Sequence, residues 1–362
     1  MKSSSPMTFR IGLLLLLLLA ASDSIRAQQS DSPKNPYTIN TDLVVTWAQI
    51  TSRKDGKAVK GLGIDDFALR EDGKPQQISL VKEGQPVSVV ILVDGETCIV
   101  PPELEFQRSQ QALRQLGEDA EIALMAWDSD VLIVQPFTRD QEVVAGRLKD
   151  RVGFFHALNG HQNGGQSPIR PERDYPRPGE AIYQAAKYLE KVASPERRKV
   201  IIIVTWARPP LYMAYTHRHA AAEVSELIEK TGTTVYGLYL TEGRPSLISR
   251  AFSRFPPGVY EKERRDGGTI EQFVEQTAGS ILIGKREEAD DQLIKLTGLI
   301  RSSYTIGYYP ENSNFDGRFR RISLELSPQG KAKVGKVDVK TRNGYQALRP
   351  STPVGSEAQP KR

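Results

Sequence analysis

The chain contains, from residue 86 to residue 94, the run Pro86-Val87-Ser88-Val89-Val90-Ile91-Leu92-Val93-Asp94. A run that is apolar on both faces is typical of a central parallel strand covered by helices on either side. A polar residue at the carboxyl end of such a strand lies where open α/β sheets bind their ligands. The run therefore predicts the central strand of an α/β sheet, with Asp94 at its binding edge.

Apolar strands and amphipathic helices alternate after this strand. The clearest are a second apolar strand at 199–205 and a helix at 179–192 whose apolar residues share one stripe. Gly279 is the predicted stop of a helix at 270–277. The remaining predicted elements are helices at 103–116, 140–152, 219–230 and 287–301, and strands at 120–127, 131–137, 234–240 and 280–283. The alternation predicts a doubly wound, mostly parallel sheet.

Short β runs flank this α/β part on both sides. The upstream strands are predicted at 43–50, 67–69 and 77–81, with Asp72-Gly73 as a hairpin turn. The downstream strands are predicted at 303–309, 319–326 and 333–340. Neither group has enough strands to bury a face alone, so the two are candidates to share one sheet or β-sandwich.

The first residues have the pattern of a signal peptide. Lys2 and Arg10 give a basic start, residues 11–21 are apolar, and Ala27 is a small residue at the expected cleavage point. The apolar run is short for a membrane span, so an uncleaved anchor is the alternative and no span is expected after cleavage. We predict export to the periplasm, the cell surface or the medium.

Composition and turn signals divide the chain into six predicted segments. They are a signal peptide (1–27), a flexible N-terminus (28–40), a β segment (41–84), an α/β domain (85–302), a C-terminal β segment (303–346) that is a candidate to pack with the first, and a disordered tail (347–362). The segment at 154–178 is rich in Gly, Pro, Asn and Gln and predicts a long surface loop.

Charge and cysteine content exclude several function classes. The formal net charge is +5 from 49 Lys+Arg and 44 Asp+Glu, and it is spread along the chain rather than clustered as nucleic-acid binding requires. Cys98 is the single cysteine, so no internal disulfide is possible. It lacks a visible histidine partner for nucleophilic catalysis. We expect no enzyme, and a hydrolase using Asp94 with Glu96 or Glu180 is the least supported alternative.

Three parts of the sequence resemble the motifs of one known protein family. The resemblance covers nearly all of the mature chain. The first stretch is Asp42-Leu43-Val44-Val45 with Gly61-Leu62, Asp66-Phe67 and Glu71-Asp72-Gly73-Lys74-Pro75, and the second is Val87–Asp94. The third is Tyr304-Thr305-Ile306-Gly307-Tyr308-Tyr309-Pro310 with Asp316-Gly317, Phe319-Arg320-Arg321-Ile322 and Arg342-Asn343-Gly344-Tyr345. In these stretches the chain resembles exported bacterial proteins with a von Willebrand factor A-related domain. The resemblance implies a von Willebrand factor A-like domain.

Domains of this family often carry a metal-ion-dependent adhesion site with the pattern Asp-x-Ser-x-Ser, a later Thr and a later Asp. A hard divalent cation takes oxygen ligands and keeps one position open for a partner's carboxylate. The five positions of the pattern fall on Asp94, Glu96, Cys98, Glu180 and Trp206. One of the five keeps its residue type, and thiolate and indole groups suit neither Mg²⁺ nor Ca²⁺. The resemblance therefore implies a degenerate site.

Two interpretations of the remaining carboxylates stay open. In the first, Asp94, Glu96 and Glu180 converge and hold a divalent cation, Mg²⁺ or Ca²⁺, through carboxylates alone. In the second, a guanidinium from Arg177 or Arg208 replaces the cation. Without either partner, the clustered carboxylates would raise one another's pKa.

A rim of Trp206, Arg208 and Tyr212 follows the strand at 199–205. Trp, Tyr and Arg are enriched in binding hot spots, although Trp206 packing over the strand ends is an equal alternative. We therefore expect a protein–protein or surface recognition module that binds a protein partner, not nucleic acid, through the loops at the carboxyl end of the sheet, without metal. The alternative is a metal-dependent adhesion module using Asp94, Glu96 and Glu180. The sequence leaves the partner and the oligomeric state open.

Overall fold

The computed structural model of the protein describes residues 43–94, 106–127, 131–149, 178–194, 196–206, 219–241 and 267–347. These residues belong to one compact unit that begins at Asp42. The predicted signal peptide and flexible N-terminus, nearly all of the 154–178 loop, and the tail after Ala347 lie outside the described residues.

The described residues form fourteen strands and seven α-helices. The strands are β1 (Val44–Ser52), β2 (Phe67–Glu71), β3 (Lys74–Gln76), β4 (Ile78–Glu83), β5 (Val87–Asp94), β6 (Glu121–Trp127), β7 (Val131–Thr138), β8 (Arg198–Trp206), β9 (Thr234–Thr241), β10 (Ile281–Lys285), β11 (Tyr304–Tyr308), β12 (Phe319–Leu326), β13 (Val337–Thr341) and β14 (Gly344–Gln346). The helices are α1 (Phe106–Arg114), α2 (Gln141–Lys149), α3 (Pro178–Val192), α4 (Ala221–Thr231), α5 (Ile270–Gln276), α6 (Ala289–Arg301) and α7 (Pro328–Val334).

The central sheet has β5 in its interior, as its apolar run predicts. Within the described residues the strand order is β10-β9-β8-β5-β6-β7, and all neighbours are parallel except β7, which runs antiparallel to β6. Side chains alternate along β5: Val89 and Ile91 pack under α1, α2 and α6, whereas Val90 and Leu92 pack under α3, α4 and α5. The predicted fold class, a doubly wound and mostly parallel sheet with flanking β segments, is confirmed.

The flanking β segments form a sandwich of two antiparallel sheets. The first has the order β13-β1-β11-β4 and the second the order β14-β12-β2-β3. Each sheet combines strands from both sides of the α/β part, because β1 and β4 pair with β11 while β2 pairs with β12. The inner faces share one apolar core. The two β segments therefore complete each other's sheets.

A buried arginine joins the sandwich to the central sheet. Arg198, the first residue of β8, donates to the Ile300 carbonyl oxygen (3.0 Å) and to the Tyr236 hydroxyl (2.8 Å). Its guanidinium carbon also lies 5.3 Å from the ring centroid of Trp47 in β1, a distance at which the cation is attracted to the ring face. The contact places β1 against the amino end of β8.

Further polar contacts fix the same interface. The Ser280 hydroxyl, just before β10, donates to the Gln49 side-chain oxygen (2.8 Å) and lies 3.1 Å from the Lys340 ammonium. The backbone of Gly84 donates to the Ser303 carbonyl oxygen (3.3 Å), where the chain leaves and re-enters the sandwich. Because these groups all lie at the amino ends of the parallel strands, the sandwich covers the amino edge of the central sheet.

A buried carboxylate connects the two sheets of the sandwich. Glu71 in β2 accepts hydrogen bonds from the hydroxyls of Tyr308 (2.7 Å) and Tyr345 (3.0 Å). The Arg320 guanidinium lies 4.0 Å away. Burial, with the Glu71 carboxylate, raises the pKa of both tyrosines above their usual range, so both hydroxyls keep their protons and donate at neutral pH. Four residues of the stretches that carry the resemblance, Glu71, Tyr308, Arg320 and Tyr345, thus meet in one polar cluster.

The structure corrects several sequence predictions in the sandwich. The strand that returns after the Asp72-Gly73 turn is Lys74–Gln76, not 77–81, because Ile78–Glu83 crosses to the other sheet and pairs with β11. The predicted strand at 333–340 begins as the helix Pro328–Val334, and only Val337–Thr341 is a strand. Ala347, placed in the tail, is buried and pairs with the backbone of residues 317 and 318.

Gly279 does not end its helix in the predicted way. The residue with positive φ after α5 is Ala278 (φ 59°). Gly279 is required by packing, since a Cβ at this position would overlap the Val235 carbonyl oxygen. The left-handed residue after α5 is therefore Ala278, and the glycine that follows it approaches β9 closely.

We expect Tyr308→Phe to destabilise the sandwich. The substitution removes one of the donors to the buried Glu71 carboxylate, and a lost hydrogen bond to a charged group costs about 1.5–3 kcal/mol. The free energy of unfolding from urea titration measures the effect. The matched control is Tyr309→Phe, because Tyr309 is 55% exposed and its loss should change stability by no more than about 0.5 kcal/mol. Equal effects of the two substitutions would contradict a role for the cluster.

Candidate functional site

The carboxyl edge of the central sheet begins with a hydrogen bond between β5 and β8. The two strands are parallel neighbours with Val93 opposite Val204, so the next residues, Asp94 and Thr205, lie side by side. The Thr205 hydroxyl donates to Asp94 Oδ2 at 2.6 Å. The first carboxylate of the predicted site therefore has a protein donor on the adjacent strand.

Glu180, the second carboxylate, lies in the first turn of α3, where the helix dipole favours an acidic side chain. Its side chain is 6% exposed. Gln184, one turn along the helix, donates to Oε1 at 2.9 Å, and His219 Nδ1 lies 2.8 Å from Oε2. Both oxygens of this carboxylate are thus bound by protein groups.

His219 is a site residue that the sequence reasoning missed. Its ring stacks on Tyr183 with 3.5 Å between centroids and 15° between planes. The histidine comes just before α4, and Tyr183 and Glu180 are on α3. The sequence places both helices after strands of the same sheet, but no residue pattern indicates which side chain of one reaches the other.

The ends of three connections meet at the first turn of α3. The segments 150–177, 207–218 and 242–266 lie outside the described residues, but the structure shows where each one ends. The first ends at Pro178, the second at His219, and the third at Gly267, whose carbonyl oxygen a Cβ at position 179 would overlap. Gly179 therefore allows the close approach of the third connection. The arrangement gathers the loops of the carboxyl edge at one place.

The remaining predicted site residues are not placed by the structure. Glu96, Arg208 and Tyr212, together with Cys98 and Arg177, lie outside the described residues, and of Trp206 only the backbone at the end of β8 is described. Within the described part of the chain, no group of three or more His, Cys, Asp or Glu side chains is arranged to hold a metal ion. The described ranges also hold no helix with the length and apolarity to cross a membrane.

Comparison with solved structures finds distant likenesses. The chain is similar to von Willebrand factor A domains. A von Willebrand factor type A protein from Catenulispora acidiphila matches at 12% identity over 83% of this chain and 73% of its own, with a TM-score of 0.37. The conserved hypothetical protein BatB from Bacteroides thetaiotaomicron matches at 12% identity over 60% of this chain and 100% of its own, with a TM-score of 0.36.

Proximal thread matrix protein 1 from the mussel byssus matches at 12% identity over 61% of this chain, with a TM-score of 0.36. The chain spans about half (49%) of the length of that mussel protein. No protein-family model matches the chain, and no curated protein matches it either. These likenesses are distant, and the fold described above rests on the chain's own strands and helices.

We expect Thr205→Val to destabilise the protein, because it leaves Asp94 without the hydroxyl donor from β8. A hydrogen bond to a charged group contributes about 1.5–3 kcal/mol, and urea unfolding measures the loss. Thr205→Ser is the control, since it keeps the hydroxyl and removes only a methyl group. If the valine and serine variants unfold at the same urea concentration, the hydrogen bond does not stabilise the carboxyl edge.

Proposed function

We propose that the protein is an exported recognition module that binds a protein partner through the carboxyl edge of its central sheet, without a metal ion and without catalysis. The observation that carries this proposal is the position of the sandwich. Arg198 and Ser280 hold it against the amino edge of the sheet, and helices cover both faces. Among the described residues, the edge that neither the sandwich nor these helices cover is the one where the long connections end. Export is supported by the signal-peptide pattern that ends at Ala27.

The partners of the two described carboxylates support recognition without metal. Thr205 donates to Asp94, and Gln184 and His219 contact Glu180. Protein groups thus already supply hydrogen-bond partners to both carboxylates at this edge, as a buried carboxylate requires. The alternative, a metal-dependent adhesion module, requires Asp94, Glu96 and Glu180 to bind one cation together.

We expect the thermal unfolding midpoint of the mature protein to stay the same in chelator and in excess Mg²⁺, Mn²⁺ or Ca²⁺. A ligand that binds only the folded state raises the midpoint as its concentration exceeds its dissociation constant. Differential scanning fluorimetry measures the midpoint. A rise with one cation that Asp94→Ala abolishes would contradict recognition without metal and favour the adhesion module.

We expect the carboxyl edge, and not the sandwich, to contact the partner. A photo-crosslinking amino acid replaces Arg208 or Tyr212 in one set of variants and the exposed Tyr309 of the sandwich in the matched control set. Cells that produce each variant are irradiated, and covalent adducts of the exported protein are identified by mass spectrometry. Adducts from positions 208 and 212 but not from 309 are expected. Adducts from position 309 alone would move the recognition surface to the sandwich.

A further inference from the structure

We propose that His219 is a positioning residue: its imidazole fixes the Glu180 carboxylate and thereby holds the end of the connection that follows β8 against the first turn of α3. This inference rests on the proposed recognition edge, because it assigns one residue the role of setting that edge's geometry. The observations that carry it are the burial of Glu180, the contact between Nδ1 and Oε2, and the stacking of the ring.

The burial of Glu180 makes a donor at Oε2 necessary. A buried carboxylate is costly unless hydrogen bonds or opposite charge compensate for the lost water. Gln184 supplies one donor from the same helix, and a bond between neighbouring turns of a helix ties no second element to it. His219 supplies the other contact from a residue 39 positions later in the chain. Of these two contacts of Glu180, the one with His219 therefore joins two elements of the edge.

The imidazole of His219 is itself held in a fixed orientation. Its face stacks on Tyr183, one turn after Glu180 on the same helix, while its Nδ1 points to the carboxylate. The Lys187 ammonium lies 6.0 Å from the centroid of the Tyr183 ring, which places one positive charge near this stack. With a ring face and a ring edge both engaged, the histidine has little freedom to rotate away. Such a ring can set the position of the chain that carries it.

The position of His219 in the chain makes the contact useful for recognition. It lies two residues before Ala221, where α4 begins, and at the end of the connection that starts after Trp206. That connection contains Arg208 and Tyr212 of the proposed rim. The histidine contact therefore fixes the described end of the chain segment that carries both rim residues.

A double-mutant cycle tests the contact. The variants are His219→Ala, Glu180→Gln and the combination, with unfolding followed in urea. We expect His219→Ala to raise the unfolding equilibrium constant about ten-fold or more, because it leaves a buried carboxylate short of a donor. The same substitution in the Glu180→Gln background should have a smaller effect, since the neutral amide needs less compensation. Equal losses in both backgrounds would overturn the proposal.

A substitution that keeps a donor but removes the ring distinguishes the positioning of Glu180 from a simple loss of packing. His219→Asn places an amide nitrogen near the position of Nδ1 but lacks the ring, so we expect it to restore the coupling to Glu180 in the cycle. In the wild type, a nitrogen–proton correlation spectrum should show His219 protonated at Nδ1. A neutral ring protonated only at Nε2, or an asparagine variant no better coupled than alanine, would overturn the assignment.

Photo-crosslinking from position 212 links the contact to recognition. We expect the adduct yield to fall in His219→Ala and to recover in His219→Asn, both made in the Tyr212 crosslinker background. An unchanged yield in His219→Ala would overturn the positioning role. If the otherwise wild-type protein forms no adduct from position 208 or 212, the proposed function fails, and the double-mutant cycle then still decides whether His219 fixes Glu180.

Discussion

The antiparallel pairing of β1 with β11 is the constraint on which the rest of the structure depends. It places Val45 opposite Gly307, so two segments on opposite sides of the α/β part have to meet. The entropy cost of closing a loop grows only slowly with the length of the loop. A folded insert whose two ends lie side by side lowers this entropy cost further. The α/β part has such ends, because β5 begins and α6 ends at the same edge, where Gly84 bonds to Ser303. The sandwich therefore closes over the amino edge of the sheet.

Arg198 makes that closure specific. A buried guanidinium is costly, and here its compensation comes from the Ile300 carbonyl at the negative end of α6, from the Tyr236 hydroxyl, and from the ring of Trp47. Arg198, Ile300 and Tyr236 belong to the α/β part, and Trp47 belongs to the sandwich. The two hydrogen bonds fix the guanidinium within the α/β part. The ring of Trp47 therefore packs against a cation whose position is already set.

Local signals in the sequence predict the parts of the fold that local physics decides. The strand from Val87 to Asp94 is evident because both its faces are apolar, and the Asp72-Gly73 turn is evident because both residues tolerate positive φ. The helix Pro328–Val334 also has a local signal in the sequence, since Ser327 is its N-cap and Pro328 is its first residue. The strand predicted at 333–340 overlaps the last two residues of this helix.

Other features depend on pairings that no local pattern contains. The sequence of Ile78–Glu83 is compatible with either sheet of the sandwich, and the available partner, β11, is more than 200 residues away. The contacts at the carboxyl edge of the central sheet also depend on pairings between distant segments. Asp94 was predicted from its place at the end of β5, but its partner Thr205 follows from the register of β5 and β8. His219 meets Glu180 only because α3 and α4 lie on the same face of the sheet.

The chemistry of the carboxyl edge follows from how its carboxylates are satisfied. A cation site recruits a partner's carboxylate by leaving one coordination position open. At this edge a hydroxyl donates to Asp94, and an amide and an imidazole contact Glu180. These contacts join β5 to β8 and α3 to a residue just before α4, so they hold chain segments of the edge together. The proposed recognition then depends on the side chains that these bonds position, and the rim of Trp206, Arg208 and Tyr212 offers the residue types that dominate binding energies.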